Sequence, residues 1–547
     1  MLSVLLVLGL AVTHLAVLTP TPLSGGPRPN LAAPPPPDRW MPPRPHVDER
    51  FATFPARGPN GEPGLWVMPS SRVPISFAVE QEVLDRFGRE ELEEAIEVFN
   101  DIPGTRFGAR IGRVVDEGVV ERRRDGVNRV FLDRRSCGER YLARAHLWSQ
   151  PVHVRNAQAV RYVTEVDVGL CDRLEPQWLA AVVRHELAHI AGLDHLCDPG
   201  EDCHRPGMGE GHECRIMHSR LHPCQELTDG DLDGLVHLHP RLPRAGGGDE
   251  RTAAALVARV GHPAARSNAR AVVTLFDAPP AQQLVSATLA GHLGVPHILV
   301  DEACTTGPDG NALDHVLRVR GGVISVGELP RACAATLTGS WRLELETLQD
   351  TAAVVDRIAE RTGRPVSRLL VAPRPDGSRD IPLAAAAAAG SVALRAPLVV
   401  LGADGEVGGV LEILEDHPSV REVVVVGDAR VVGTRALSAL SDAGVAVRRL
   451  PAHDALDVTR QLLAQPELTG HGPFAAAVVS RAHGEHAVAG VGLAAALDGL
   501  LLPVTHEPTP EQLELLATSF DRGAIVGDST VTAEAQRRLS RALDGDP

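Results

Sequence analysis

The sequence predicts a multidomain protein: an α+β domain followed by three α/β units that each hold a parallel sheet. Two observations predict this division. The chain has 547 residues, more than one hydrophobic core supports, so several domains are expected. Strand and helix patterns mix irregularly over residues 63–243, whereas beyond residue 244 continuous apolar strands alternate with Ala-rich helices. Such alternation is typical of parallel sheets covered by helices on both faces.

The first segment, residues 1–19, is an apolar run that predicts either a signal peptide or a membrane anchor. Its length fits both uses, and it lacks a basic beginning and a clear cleavage site. Residues 20–62 are rich in proline, with four consecutive prolines at 34–37, and predict an extended linker. Together the two segments favour export from the cytoplasm.

The α+β domain is predicted at residues 63–243. Period-two alternation predicts a half-buried strand at Val160–Val168, and apolar spacing predicts an amphipathic helix at Glu90–Asn100. Shorter strands are predicted at 75–79 and 130–132. One strand within residues 145–168 is expected to form an edge that can pair with an extended chain.

The segment from residue 185 to residue 195 reads HELAHIAGLDH, and its spacing predicts a metal site. His185 and His189 are one helical turn apart, so both imidazoles lie on the same helix face. Gly192 can take the positive φ that ends the helix, after which the chain turns and brings His195 to the same ion. Three imidazoles with an open fourth position are typical of catalytic zinc. Glu186 is placed to accept a proton from a water that the zinc activates.

A buried amphipathic helix that carries histidines by chance is the simpler alternative. Pro176 and the apolar residues Leu179 and Val182 predict a helix in either case. The alternative explains neither Glu186 nor the spacing from the glycine to the last histidine. The sequence therefore favours the zinc site.

This motif resembles that of the metzincins, zinc peptidases that carry a methionine-containing turn below the metal. The sequence offers such a turn at 214–218, Cys-Arg-Ile-Met-His. Residues 227–235 are similar to the last helix of the matrixin branch of that family, and residues 72–79 to its first strand. The resemblance covers roughly residues 64–240.

The resemblance implies a zinc endopeptidase whose residues have the following roles: zinc ligands His185, His189 and His195, general base Glu186, and Met217 as a hydrophobic support below the metal. Two positions depart from the family pattern. Ser219 stands where some metzincins have a tyrosine, so a tyrosine ligand is not expected. No cysteine precedes Cys137, so the matrixin propeptide cysteine is missing.

Charge and composition exclude several classes of function. The 54 basic residues are all arginines, against 70 acidic residues, which gives a net charge of −16. Without lysine, Walker-A phosphate binding and Schiff-base chemistry are excluded. The acidic balance also argues against nonspecific nucleic-acid binding, which depends on neutralising phosphates.

The cysteines favour disulfides and an oxidising, extracytoplasmic location, because their number is even. The candidates are Cys137, Cys171, Cys197, Cys203, Cys214 and Cys224 in the α+β domain, and Cys304 and Cys333 beyond it. A second zinc site is the alternative for the cysteines from 197 to 224, since four histidines (His204, His212, His218 and His222) lie in the same loop. The sequence leaves the pairing open.

An internal repeat spans residues 244–547 and follows a Gly-rich break at 243–248. Val-Gly followed by an acidic residue recurs at Val326, Val426 and Val526, 100 residues apart, and closes an apolar run each time. The spacing predicts three units at about 250–345, 346–450 and 451–547. A parallel, flavodoxin-like sheet is expected in each unit.

The three units resemble the type 2 cell-wall-binding repeats of Gram-positive surface proteins. Residues 251–253 and 350–352, Arg-Thr-Ala and Asp-Thr-Ala, are similar to the helix opening of that family. Pro296 and Pro397 stand in its Pro-Ile-Leu-Leu motif, whereas Leu500 replaces the proline in the third unit. The resemblance implies noncovalent attachment to an anionic wall polymer or to peptidoglycan.

These features predict a secreted zinc endopeptidase at the cell surface or cell wall, held by its C-terminal units and acting on a protein or peptide substrate. Two alternatives stay open. One is a surface adhesin with a relic peptidase domain that binds the wall without hydrolysis. The other is a wall-lytic peptidase that cleaves peptidoglycan stem peptides.

Overall fold

A mixed eight-stranded sheet organises the N-terminal region, and three parallel sheets follow it along the chain. The computed structural model describes residues 52–57, 63–69, 72–116, 125–134, 137, 142–149, 153–155, 158–195, 216–217, 226–245, 250–262, 271–306, 323–336, 341–343, 351–375, 380–402, 405–469, 474–480, 486–527 and 531–545. All of them belong to one compact unit, Pro37–Pro547. The predicted signal or anchor segment at 1–19 lies outside the described residues. Within them, no helix is long and apolar enough to cross a membrane.

The N-terminal sheet has the strand order β2-β3-β9-β6-β4-β5, and β7 and β8 also pair with β9. Strands β3 and β6 run parallel to β9, whereas β7 and β8 run antiparallel to it. A separate two-stranded ribbon joins β1 and β10. The strands are β1 (Ala52–Thr53), β2 (Pro55–Arg57), β3 (Pro63–Val67), β4 (Ile75–Glu80), β5 (Ala109–Val115), β6 (Arg129–Asp133), β7 (Ala143–Ser149), β8 (His153–Arg155), β9 (Gln158–Cys171) and β10 (Leu193–Asp194).

Four helices accompany this sheet: α1 (Gln81–Phe87), α2 (Arg89–Glu97), α3 (Leu179–Ala191) and α4 (Asp229–Leu238). Helix α2 packs on α3, and the side chains of Leu92, Ile96 and Leu187 are buried between the helices and the sheet. The helix predicted at 90–100 is α2 followed by a 3₁₀ turn, Val98–Asp101. The strand predicted at 160–168 is the central part of β9.

Residues 52–57, which the composition assigned to the linker, form β1 and β2. Ala52, Thr53 and Ala56 are buried there, and Pro55 is exposed. Strand β2 pairs antiparallel with β3, so the end of the Pro-rich segment belongs to the N-terminal sheet.

Each C-terminal sheet has four parallel strands. In the first two sheets the first strand in sequence lies between the second and the third, as in flavodoxin-like sheets. In the third sheet β20 lies between β21 and β22, and the earlier strand β11 takes the outer place beside β22. The orders are β13-β12-β14-β15, β17-β16-β18-β19 and β21-β20-β22-β11. The strands are β11 (Arg244–Ala245), β12 (Ala271–Leu275), β13 (His297–Val300), β14 (Val323–Val326), β15 (Trp341–Leu343), β16 (Arg368–Ala372), β17 (Leu398–Val400), β18 (Glu422–Val426), β19 (Ala446–Leu450), β20 (Phe474–Ser480), β21 (Gly499–Val504) and β22 (Phe520–Val526).

The helices of this region are α5 (Glu250–Gly261), α6 (Pro280–Leu293), α7 (Arg331–Thr336), α8 (Thr351–Thr362), α9 (Ile381–Ala393), α10 (Gly408–Asp416), α11 (Thr434–Asp442), α12 (Ala455–Leu463), α13 (Pro466–Thr469), α14 (Ala487–Leu497), α15 (Pro510–Ser519) and α16 (Ala533–Leu543). The Ala-rich helices α6, α9 and α14 pack on one another at the centre. Close approach requires a small residue there: a Cβ on Gly291 would lie 2.7 Å from Val392 Cγ2. One buried core therefore runs through all three sheets.

The third sheet is completed by residues from the start of the region. Strand β11, Arg244–Ala245, pairs in parallel with β22, although the sequence suggested a break at 243–248. Glu250, at the start of α5, accepts a hydrogen bond from the amide of Ala489 at 2.5 Å. The first and last parts of the C-terminal region are thus joined without a covalent link.

Candidate metal site

Helix α3 and the turn after it bring together the three histidines of the motif. The helix begins after a 3₁₀ turn at Pro176–Trp178 and buries its apolar face against the sheet. It ends at Gly192, whose φ of 105° is the left-handed conformation that the motif predicts. The two residues after Gly192 form β10, and His195 follows directly.

The three imidazoles face one another. The Nε2 atom of His195 lies 3.1 Å from Nε2 of His185 and 3.2 Å from Nε2 of His189. One ligand atom from each residue fits within a mutual separation of 4.8 Å. Among the described residues, this is the one group of three or more His, Cys, Asp and Glu side chains close enough to hold an ion.

Hydrogen bonds on the far side of two of the rings fix which nitrogen carries the proton. His185 Nδ1 donates to the carbonyl of Ile216 at 2.5 Å, and His189 Nδ1 donates to the carbonyl of Leu193 at 2.9 Å. In a neutral imidazole whose Nδ1 carries the proton, Nε2 has a lone pair that can bind a metal ion. Burial lowers the pKa of His189 to about 3, so this ring is neutral at pH 7. Neutral imidazole is the form that binds metals.

Zinc fits this donor set. Nitrogen ligands about 2.0–2.1 Å from a tetrahedral zinc ion are about 3.3 Å apart, close to the 3.1 and 3.2 Å observed. A proton on His195 Nε2 could be shared with one neighbouring Nε2 only, whereas a cation between the rings could bind all three Nε2 atoms. Backbone carbonyl partners on Nδ1 are also the usual support of metal-bound histidine.

Glu186 is buried on the same helix and reaches the edge of the sheet. Its Oε2 accepts a hydrogen bond from the amide of Ala145 in β7 at 2.6 Å. Burial raises the pKa of Glu186 to about 7, and the hydrogen bond from Ala145 opposes that shift. A carboxylate with a pKa near neutrality can accept and return a proton.

Strand β7 lies beside α3 and pairs only with β9 among the described strands. It overlaps the range 145–168 in which an edge strand was expected, and β8, which lies within that range, also pairs only with β9 among the described strands. The hydrogen bond from Ala145 ties this edge to Glu186, so the sheet edge and the buried carboxylate are held together.

Ile216 and Met217 form a buried turn, and the Ile216 carbonyl of this turn contacts His185. The turn is anchored by Asp231 of α4, whose Oδ2 accepts from the amide of Ile216 at 3.4 Å and from the hydroxyl of Thr228 at 2.7 Å. Because the carbonyl of Ile216 in turn accepts a hydrogen bond from His185, helix α4 supports the first histidine through the turn.

The structure pairs four of the candidate cysteines. Cys137 forms a disulfide with Cys171 at the end of β9, and Cys304 forms one with Cys333 in the first C-terminal sheet region. The remaining candidates lie outside the described residues, as do the four histidines of the alternative second zinc site: Cys197, Cys203, Cys214, Cys224, His204, His212, His218 and His222.

Several residues of the site were not predicted. The carbonyls of Leu193 and Ile216 and the amide of Ala145 act through the backbone, and no side-chain pattern signals such groups. Phe54 lies with its ring 5.9 Å from that of His189, edge to face, and comes from the segment assigned to the linker. Asp231 could have been noticed in the sequence, because Thr228 stands three residues before it and the two form a capping box at the start of α4.

Comparison with solved structures finds proteins that are similar to slightly more than half of this chain. No protein-family model and no curated protein sequence matches the chain. Cwp6 from Clostridium difficile has 12% sequence identity at a TM-score of 0.46, over 55% of this chain and 47% of that chain. Cwp8 from Clostridium difficile has 17% identity at a TM-score of 0.45, over 57% and 53%. The chain spans about half the length of these solved structures, and at these scores the likeness assigns no function.

Proposed function

We propose that the protein is a metal-dependent endopeptidase that uses zinc at the three histidines. The observation that carries this proposal is the convergence of three Nε2 atoms beside a buried glutamate that is bonded to an edge strand. A purely structural role explains this arrangement poorly, because one Nε2 proton on His195 could be donated to only one of its two Nε2 neighbours at 3.1 and 3.2 Å, whereas one ion could bind all three atoms.

The residues divide the work of peptide hydrolysis. Zinc, when bound, would supply a Lewis acid that polarises the scissile carbonyl and makes water a better nucleophile. Glu186 accepts the proton that the attacking water gives up and delivers it to the departing amine. His185 and His189 are held by carbonyls, so their orientation is set before any metal binds.

The proposed substrate is an extended polypeptide that adds to β7 as a further strand. The edge of β7 away from β9 pairs with no other described strand, so backbone groups other than the Ala145 amide could serve as donors and acceptors for such pairing. Because Ala145 of this strand contacts Glu186, a peptide bound along β7 would lie close to the carboxylate.

The C-terminal sheets are proposed to attach the protein to the cell wall. This part of the proposal rests on the resemblance of residues 250–543 to type 2 cell-wall-binding repeats, and the three similar sheets agree with it. The ligand would be an anionic wall polymer or peptidoglycan, and the protein would be exported.

The test compares Glu186→Gln with wild type in the full chain. We expect the variant to bind zinc with unchanged stoichiometry. Its rate of casein hydrolysis should fall by about 10²-fold or more. Glu175→Gln, an exposed carboxylate just before α3, is the matched control and should retain full activity. Undiminished hydrolysis by Glu186→Gln would contradict the proposed role.

A second candidate is a wall-binding surface protein that does not hydrolyse peptides, and nothing in the comparisons favours a peptidase over it. It needs only the C-terminal sheets, and it predicts wall binding without cleavage of any protein. A wall-lytic peptidase would instead cleave peptidoglycan stem peptides in preference to casein. Digestion of both substrates by one preparation, with and without chelator, distinguishes the three cases.

A further inference from the structure

The N-terminal strand lies directly against the turn that carries the third histidine. Strands β1 and β10 pair antiparallel, with Ala52 opposite Asp194. The amide of Phe54 donates to the carbonyl of Gly192 at 2.6 Å. The backbone between Gly192 and His195 is thus bound along its length by the segment that follows the Pro-rich stretch.

The same segment also reaches the second histidine and the sheet. The ring of Phe54 meets that of His189 edge to face, with centroids 5.9 Å apart, and meets that of Trp66 at 6.1 Å. The carbonyl of Phe54 accepts from the amide of Trp66 in β3 at 3.2 Å. Phe54 therefore links the metal-site turn to the N-terminal sheet.

Strand β10 has only two residues, and β1 is its partner in the described structure. So short a strand does not hold its conformation alone. The position of His195, whose Nε2 must stay near 3.1 and 3.2 Å from the other two, depends on what fixes this strand.

We infer that residues Ala52–Phe54 position His195 as a metal ligand, so that metal binding requires a segment far outside the histidine motif. This inference rests on the proposed metal site and adds to it a segment that holds the third ligand in place. The three residues act through the backbone of the turn and through the ring of His189; they are positioning residues and not ligands.

The test uses Co²⁺ with the full-length protein, because cobalt absorbance reports the number and geometry of ligands independently of activity. Phe54→Pro removes the amide donor but keeps an extended backbone before Pro55. Phe54→Ala removes the ring and keeps the donor. Phe99→Ala, in the buried core of the N-terminal region and packed on Phe107, controls for loss of stability alone.

We expect Phe54→Pro to weaken Co²⁺ binding by about 10- to 100-fold and to change the absorbance bands of the bound ion. Phe54→Ala should have a smaller effect, and Phe99→Ala should leave the bands unchanged. Wild-type bands and affinity in Phe54→Pro would overturn the inference while leaving the metal site intact. Failure of the wild-type protein to bind Co²⁺ would instead overturn the proposed function, and this inference with it.

A milder pair of variants decides the matter if Phe54→Pro does not fold. Ala52→Asp places a second carboxylate opposite Asp194, and like charges across a strand pair are destabilising. Ala52→Asn has the same size without the charge. Weaker Co²⁺ binding by Ala52→Asp than by Ala52→Asn supports the inference, and equal binding by the two overturns it.

Discussion

Arg541, in the last helix of the chain, forms an ion pair with Asp233 of α4, with Nη2 and Oδ1 2.5 Å apart. Asp544, directly after this helix, adds a second contact, because its Oδ2 accepts a hydrogen bond from the amide of Gly104 at 2.8 Å. The C-terminal helix is therefore docked on the N-terminal region, on the helix that anchors the turn at Met217. This contact connects the two parts of the protein that the sequence separates.

Replacing Arg541 with alanine should destabilise this docking. The arginine side chain is about one-third exposed, so we expect a loss of about 1 kcal/mol in the free energy of unfolding, measured with urea. Arg89→Ala removes an exposed i,i+4 pair with Glu93 and should cost only a few tenths of a kcal/mol. Equal losses for the two variants would show that the docking contact contributes no more than an exposed ion pair.

Replacing His195 with alanine should abolish tight metal binding. Two of the three Nε2 donors remain, and we expect the affinity for zinc to fall by about 100-fold or more. His453→Ala, an exposed histidine paired with Asp428, should bind zinc as wild type does. Metal content after dialysis against a weak chelator measures the difference, and equal content would argue against the site.

Asp167 predicts a pH dependence of stability. Burial raises the pKa of this carboxyl to about 7, although nearby Arg129 opposes the shift. Below pH 4 the group is neutral in both the folded and the unfolded chain. Between about pH 4 and pH 7 the unfolded chain releases the proton while the folded protein keeps it, so the free energy of unfolding falls as pH rises.

Asp167→Asn should remove this loss of stability at higher pH, because asparagine carries no carboxyl group to ionise. Relative to wild type, the variant should gain on the order of 3 kcal/mol between pH 4 and pH 8, with the gain complete above pH 7. Urea unfolding at both pH values measures the change, with the exposed Asp172→Asn as the control. A wild type and variant that respond identically to pH would disprove the penalty.

Gly192→Ala should cost more stability than the same change at another left-handed glycine. A Cβ at Gly192 would lie 2.9 Å from the carbonyl oxygen of Trp66, in addition to the strain of a φ of 105°. Gly363 has a φ of 63° with open space around it and serves as the control. We expect a loss of about 2–3 kcal/mol for Gly192→Ala and about 1 kcal/mol for Gly363→Ala by urea unfolding.

The local part of the site could be predicted because each signal lies within a few residues. The histidine spacing sets one helix face, and Gly192 marks the end of that helix, where φ is indeed positive. The approach of the three imidazoles follows from these two facts. The repeated Val-Gly-acid triplets likewise mark the ends of β14, β18 and β22.

The long-range part could not be predicted in this way. The pairing of Ala52 with Asp194 joins residues 142 positions apart, and the Pro-rich composition around it pointed to a linker. Ala145 contacts Glu186 through a backbone amide, which has no side-chain signature. Strand β11 has two residues, and its partners in β22 and around Val531 lie almost 300 positions later in the sequence.

The pairing of β11 with β22 limits how early the third sheet can fold during synthesis of the chain. Arg244 leaves the ribosome roughly 280 residues before its partner Ile525 is made. At about 5–20 residues per second, the early strand waits roughly 15–55 seconds for the edge it completes. The third sheet therefore cannot close before Ile525 has been made, and the helix Ala533–Leu543 can reach α4 only later still.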